Sequence, residues 1–191
     1  TEDAEKEFLD ARTKRLLALN NPPIEPDKKV YIATVSQGAK DGYSIASGHL
    51  ISELKELGIS ASTNFENQKV AFLFHNPYSI DRLESPYRIL FTMFESDKIP
   101  DDWKGYLEIA DKVLVPSKWC QSVFAKAGIK TEVMPLGYNH RIFTFKEREN
   151  KRVARKDFVF LHYNAFNIRK GFVEVFKAFK KEFDPSEPVK M

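Results

Sequence analysis

Four short stretches put reactive side chains where a folded chain could use them. In "ILFTMFES", residues 89–96, Glu95 stands directly behind an apolar run. A carboxylate there can bind ligand hydroxyls or polarise a nucleophile, or it can bond the backbone of the next turn. In "VAFLFHNP", residues 70–77, His75 ends a second apolar run. It either orients a hydroxyl or is a satisfied structural histidine. In "QGAKDGY", residues 37–43, Gly38 and Gly42 with Tyr43 open a helix. A glycine turn lets the backbone approach a phosphate closely, or is an ordinary strand-to-helix turn. In "NIRKGF", residues 167–172, Arg169 and Lys170 precede a helix, where dipole and free N–H groups favour an anion. The plainer alternative is that they solvate a helix start.

The elements that must position these groups follow from the apolar pattern. Residues 29–36, 59–63, 69–74, 87–94, 112–116 and 130–137 read as strands. Residues 43–58, 100–110 and 118–128 read as the helices between them. On the first helix Ile45, His49, Leu50, Leu54 and Leu57 are expected on one face. Alternation of strands and helices, with strands apolar throughout, predicts an α/β fold whose parallel sheet carries helices on both faces. Ligands bind such sheets outside the carboxyl ends of the strands, so Glu95 and His75 are expected on that rim. Trp103, Trp119 and Cys120 are expected in the core.

Composition narrows the field. Apolar residues make up 42% of the 191, which suffices for a packed core. The net charge of +3 is too weak to argue for nucleic acid. Residues 141–156 hold seven Lys/Arg against two Glu, a local +5 that leaves −2 for the rest, and are read as a solvated basic linker. One cysteine permits no internal disulfide, which suits a reducing, cytoplasmic setting. No cluster of metal-ligand residues stands out. Four segments are expected: a helical arm and Pro-rich linker at 1–28, a sheet domain at 29–140, the basic linker at 141–156, and the opening strand and helix of a second domain at 157–191, with the chain either a fragment of a longer polypeptide or completed by a partner.

The glycine turn at Gly38 and Gly42, "FES…IPDDW", "IADKVLVPSKW…F…AGI", "VMPLGYNHRIF" and "FVFLHYNAFNIRKGFVEVFKAF" occur in this order across 29–183. Together they resemble the GT-B fold glycosyltransferases of the glycosyl transferases group 1 family. The resemblance implies two Rossmann-like domains facing a cleft, here an acceptor-side amino-terminal domain with a truncated donor domain. It implies transfer of a sugar from a nucleotide-sugar to a hydroxyl on a glycan, lipid or protein, with retention of configuration and no required cofactor or metal. By the same resemblance His75 and Glu95 serve catalysis. Gly38, Gly42, Tyr43, Asn164, Arg169 and Lys170 serve the donor and its phosphates. Lys170 stands where members contact the diphosphate. Asn164 stands where many carry arginine, a departure that Arg169 would have to cover. The rival is a non-catalytic module binding a glycan or protein. Peripheral membrane contact and self-association are further options; nucleic acid is not expected.

Overall fold

The computed structural model describes residues 28–34, 41–147, 157–164 and 168–191. The chain divides between Phe143 and Thr144 into two units.

The first unit is built on β1 (Lys29–Ala33), β2 (Ser60–Ser62), β3 (Val70–Phe74), β4 (Tyr87–Phe91), β5 (Lys112–Val115) and β6 (Glu132–Val133). All pair in parallel, in the order β2-β1-β3-β4-β5-β6. Side chains alternate across a strand, so each strand feeds two cores. Ala33, Ala71, Leu73, Leu90, Val113 and Val115 face one way. They pack under α2 (Trp103–Ile109) and α3 (Lys118–Lys126) through Trp103, Leu107, Val123 and Phe124. Ile32, Phe72, Phe74, Phe91 and Leu114 face the other way, under α1 (Gly42–Glu56). The predicted α/β architecture, a Rossmann-like parallel sheet with helices on both faces, is therefore present.

Several predicted details differ. The run 87–94 leaves the ladder after Phe91, although the Thr92 N–H still donates to Leu114 O at 3.0 Å. The predicted 130–137 strand shrinks to two residues, because β6 is an edge with one neighbour. Pro100 and the acids after it form a turn before α2, closed by Trp103 N–H to Pro100 O at 3.1 Å. The buried face of α1 is rotated from the predicted stripe. Tyr43, Ala46, Leu50, Ile51 and Leu54 lie against the sheet core and Ser47 is buried, whereas Ile45 and Leu57 are 53% and 75% exposed. Trp119 is 53% exposed, against the expected core position, because α3 turns Cys120, Val123 and Phe124 inward. Ser117 caps α3, accepting from Cys120 N–H at 3.1 Å, and Gly128 closes it in the left-handed region at φ 78°.

The second unit pairs β7 (Phe158–Val159) in parallel with β8 (Val189–Lys190), and α4 (Phe172–Glu182) connects them. Phe160 packs on Phe179 and Phe183, and Lys190 pairs with Asp157. The predicted strand over 157–164 is confined to two residues, with His162 and Tyr163 beyond it. None of the described residues in this unit is buried. The expected arm at 1–28 lies outside the described residues except for Lys28, as does the basic run from 148 to 156.

Candidate functional site

The strand order fixes where a ligand crevice opens. From β1 the chain crosses to β2 on one side. It then returns past β1 to β3 and continues outward on the other. The order reverses between β1 and β3. Loops leaving their carboxyl ends diverge there, and a crevice results. Tyr43, at the start of α1, and His75, just past β3, flank it.

The Tyr43 ring meets Phe74 edge-on, with centroids 5.6 Å apart. It also lies 4.9 Å from the His75 ring at a 45° tilt. The phenol pKa is raised above its ordinary value, first by burial and then by the nearby Glu95 carboxylate, while the Met93 backbone N–H opposes the shift. Three predicted residues, Tyr43, His75 and Glu95, thus gather at one end of the sheet. Glu95 is exposed and opens a loop anchored by buried Ile99 and the Lys98–Asp101 ion pair at 2.9 Å. Replacing Glu95 with Gln should move the Tyr43 pKa back toward its ordinary value. The Tyr43 ring-carbon resonance, assigned by NMR and followed through an alkaline titration of both proteins, reads this. An unchanged titration would mean that the two groups do not sense each other.

Sequence reading missed two features of this rim. The first is a set of three polar atoms. Thr34 Oγ1, His75 Nδ1 and Thr92 Oγ1 follow β1, β3 and β4, neighbours in the sheet, and each is buried without a hydrogen-bond partner among the described residues. Thr92 is fully buried. Buried polar groups normally find partners; Thr131 Oγ1, before β6 at the opposite end of the sheet, is likewise without one among the described residues, so such exceptions are not confined to the rim. The His75 backbone N–H donates to Phe91 O at 3.2 Å. The signal available in sequence was Thr92, a lone hydroxyl inside "ILFTMF".

The second feature is Asp41. Its Oδ1 accepts from Ser44 N–H at 2.9 Å, and its Oδ2 from the Ser44 hydroxyl at 2.9 Å. The phosphate approach expected at Gly42–Tyr43 therefore meets a helix end already capped by a carboxylate. The "DGYS" order, an N-cap acid three residues before a serine, was legible as a helix start. Asp41's pKa is lowered by the Ser44 N–H and the Ser44 hydroxyl. A carboxyl whose folded pKa lies below its unfolded value stabilises the fold above the unfolded pKa. That stabilisation fades as pH falls through the folded value. Thermal melts from pH 6 down to pH 2 should show the Asp41→Asn protein less stable at the neutral end and converging on the parent in acid. Parallel curves would deny Asp41 this role.

The remaining predicted residues lie elsewhere. Gly38 falls outside the described residues. Arg169 and Lys170 form a 3-10 turn in the second unit just before α4. Gly171 at φ 67° starts that helix with no side-chain cap, and Glu174 in its first turn approaches Gly171. Asn164 Nδ2 lies 3.4 Å from His162 Nε2. No group of three or more His, Cys, Asp or Glu among the described residues could hold a metal ion, and no described helix is long and apolar enough to cross a membrane. Compared with known proteins, the chain matches no family model, no curated protein and no solved structure.

Proposed function

We propose that this chain carries the acceptor side, and the opening of the donor side, of a GT-B type glycosyltransferase. The observation that carries the reading is the convergence of Tyr43, His75 and Glu95 at the β1/β3 switch point of a parallel sheet. Family-like phrases in the matching order support it. The reaction forms a bond from an acceptor hydroxyl oxygen to the sugar's anomeric carbon. It breaks the bond from that carbon to the diphosphate, which leaves with the electron pair, and the hydroxyl proton passes to a base. Glu95 and His75 are the groups that meet the hydroxyl and the transferred sugar. Arg169 and Lys170 meet the departing charge. Their helix start supports this role, since its N–H groups have no side-chain cap and two cations precede it.

The test is a transfer assay on the polypeptide as isolated from its native source, with labelled nucleotide-sugars of several bases and a panel of hydroxyl acceptors. Labelled product is expected, with His75→Ala and Lys170→Ala each lowering the rate by about 100-fold or more. Saturable binding of a hydroxyl acceptor without transfer from any donor would replace the enzyme reading with the binding-module one.

A further inference from the structure

We infer that the outer face formed by α2, α3 and the 97–101 loop docks an acidic segment of a partner protein, which seats an apolar side chain between flanking carboxylates. The inference uses none of the residues assigned above to acceptor or donor, and it stands whether or not that reading holds.

Packing sets the place. Trp103 and Phe124 bring α2 and α3 together over the sheet, their rings 6.4 Å apart. The 97–101 loop, anchored by buried Ile99, lies against the later part of α3. Between them remains a half-open cleft of about 360 Å³, at the lower end of the range for ligand clefts. Ile99, Pro100, Val123 and Ala127 give it an apolar floor.

The rim selects charge. Lys98 and Asp101 cancel, being paired at 2.9 Å. Lys104 on α2 and Lys126 on α3 border the cleft and are exposed. Neither has an ion-pair partner among the described residues. Complementary charge at such positions steers a partner and fixes its register. Trp119 extends the surface. It precedes Val123 by one helical turn and Lys126 by two, so it shares their side of α3, about 10 Å from Lys126 along the axis. It is 53% exposed. Interfaces concentrate their binding energy in aromatic anchors of this kind.

The pattern favours a peptide over a nucleic acid or a free phosphate. Asp97 shares the rim, and Asp101 and Asp102 stand at the start of α2. A uniform polyanion would meet these carboxylates, and a compact anion would be repelled from that helix start. A segment that intersperses acidic and apolar residues can place its carboxylates at Lys104 and Lys126 and its apolar groups on the floor and on Trp119.

Fluorescence anisotropy of dye-labelled probes mixed with the full chain tests this. The probes are peptides of Asp and Glu with Leu and Phe interspersed at several spacings, the same peptides with Ser in place of Leu and Phe, and a single-stranded oligonucleotide of equal charge. At least one acidic and apolar peptide should bind with a Kd below about 1 mM, and about tenfold or more tighter than either control. Combining Lys104→Glu with Lys126→Glu should weaken it by about tenfold or more, and Trp119→Ala by about tenfold. Asp97→Asn, which takes a carboxylate off the rim, should tighten it. Lys104→Ala with Lys126→Ala serves if charge reversal disturbs folding. In two-dimensional NMR the amide shifts on binding should fall within 97–104 and 119–127. Silence from every acidic and apolar peptide would overturn the inference. So would equal binding by the Ser peptides or the oligonucleotide, an affinity indifferent to the lysine and Trp119 substitutions, or shifts confined to other residues.

Discussion

Phe91→Ala should lower the stability of the first unit by about 3–5 kcal/mol, a large share of the 5–15 kcal/mol that a domain typically has. The side chain is fully buried on β4, near the middle of the sheet. Its ring stacks on Phe74 of β3, with centroids 4.5 Å apart and planes within 4°. The two residues are direct register partners, so the stack is set by the ladder itself. Removing one ring takes away both its transfer free energy and its contacts, and leaves a cavity. The sheet cannot collapse into that space, because β4 is hydrogen-bonded to β3 and β5 on either side. In urea the unfolding midpoint should fall by about 2 M at unchanged slope. Phe91→Leu should lose much less, since it refills most of the volume. Phe145→Ala provides the contrast: Phe145 is 93% exposed, and its loss should stay within about 0.5 kcal/mol. Equal midpoints for Phe91→Ala and Phe145→Ala would mean that this face of the sheet is not packed as described.

The parts of the fold legible in sequence are those where one physical rule dominates. β3 is the apolar run "VAFLF", and an unbroken apolar run marks a parallel strand buried on both faces. Ser117 and Gly128 around α3 are a hydroxyl cap and a left-handed stop, which local chemistry alone dictates. Details settled by tertiary packing were harder to read. The buried face of α1 depends on which turn meets Phe74 and Phe91. Tyr43 is drawn onto Phe74, and that contact rotates the face away from Ile45. Trp119 looks like a core residue by type. Cys120, Val123 and Phe124 already fill the inner face of α3, and Trp119 is left outside. At the candidate site, His75 and Glu95 were visible because a polar group follows an apolar run. Their proximity to Tyr43 was not, because it depends on β1 and β3 being neighbours although β2 lies between them in the chain. Asp41 carries a helix-start signal in "DGYS", but the glycines on either side of it point equally to a phosphate turn.

Amide exchange in the intact chain should separate the two units by several orders of magnitude. Exchange from a hydrogen-bonded amide requires opening, and the free energy of opening follows the apolar contacts that opening would break. The amides of β3 and β4 lie between two cores whose members include Ala71, Leu73, Leu90 and Phe91, all 1% exposed or less. Opening them exposes both faces of the sheet at once, so their protection should reach the global unfolding free energy. The described residues of the second unit show no such arrangement. β7 and β8 are two residues each, a length at which a strand pair has little stability of its own. The aromatic contacts of Phe160 with Phe179 and Phe183 hold one side of α4, but Val173, Val175 and Phe176 are 47%, 37% and 48% exposed. Leu161 and Tyr163 are 86% and 91% exposed. An 11-residue helix is marginal in water without an apolar face to bury. In mass-spectrometric exchange at neutral pH, peptides spanning 157–191 should reach full deuteration within seconds to minutes, while those spanning 70–74 and 87–91 stay protected for hours. Adding a nucleotide-sugar should slow exchange at 168–176 if Arg169 and Lys170 hold the donor's phosphates, because ligand binding to the folded state opposes opening. Protection of 157–191 equal to that of β3 and β4 before any ligand is added would contradict this account of the second unit's stability.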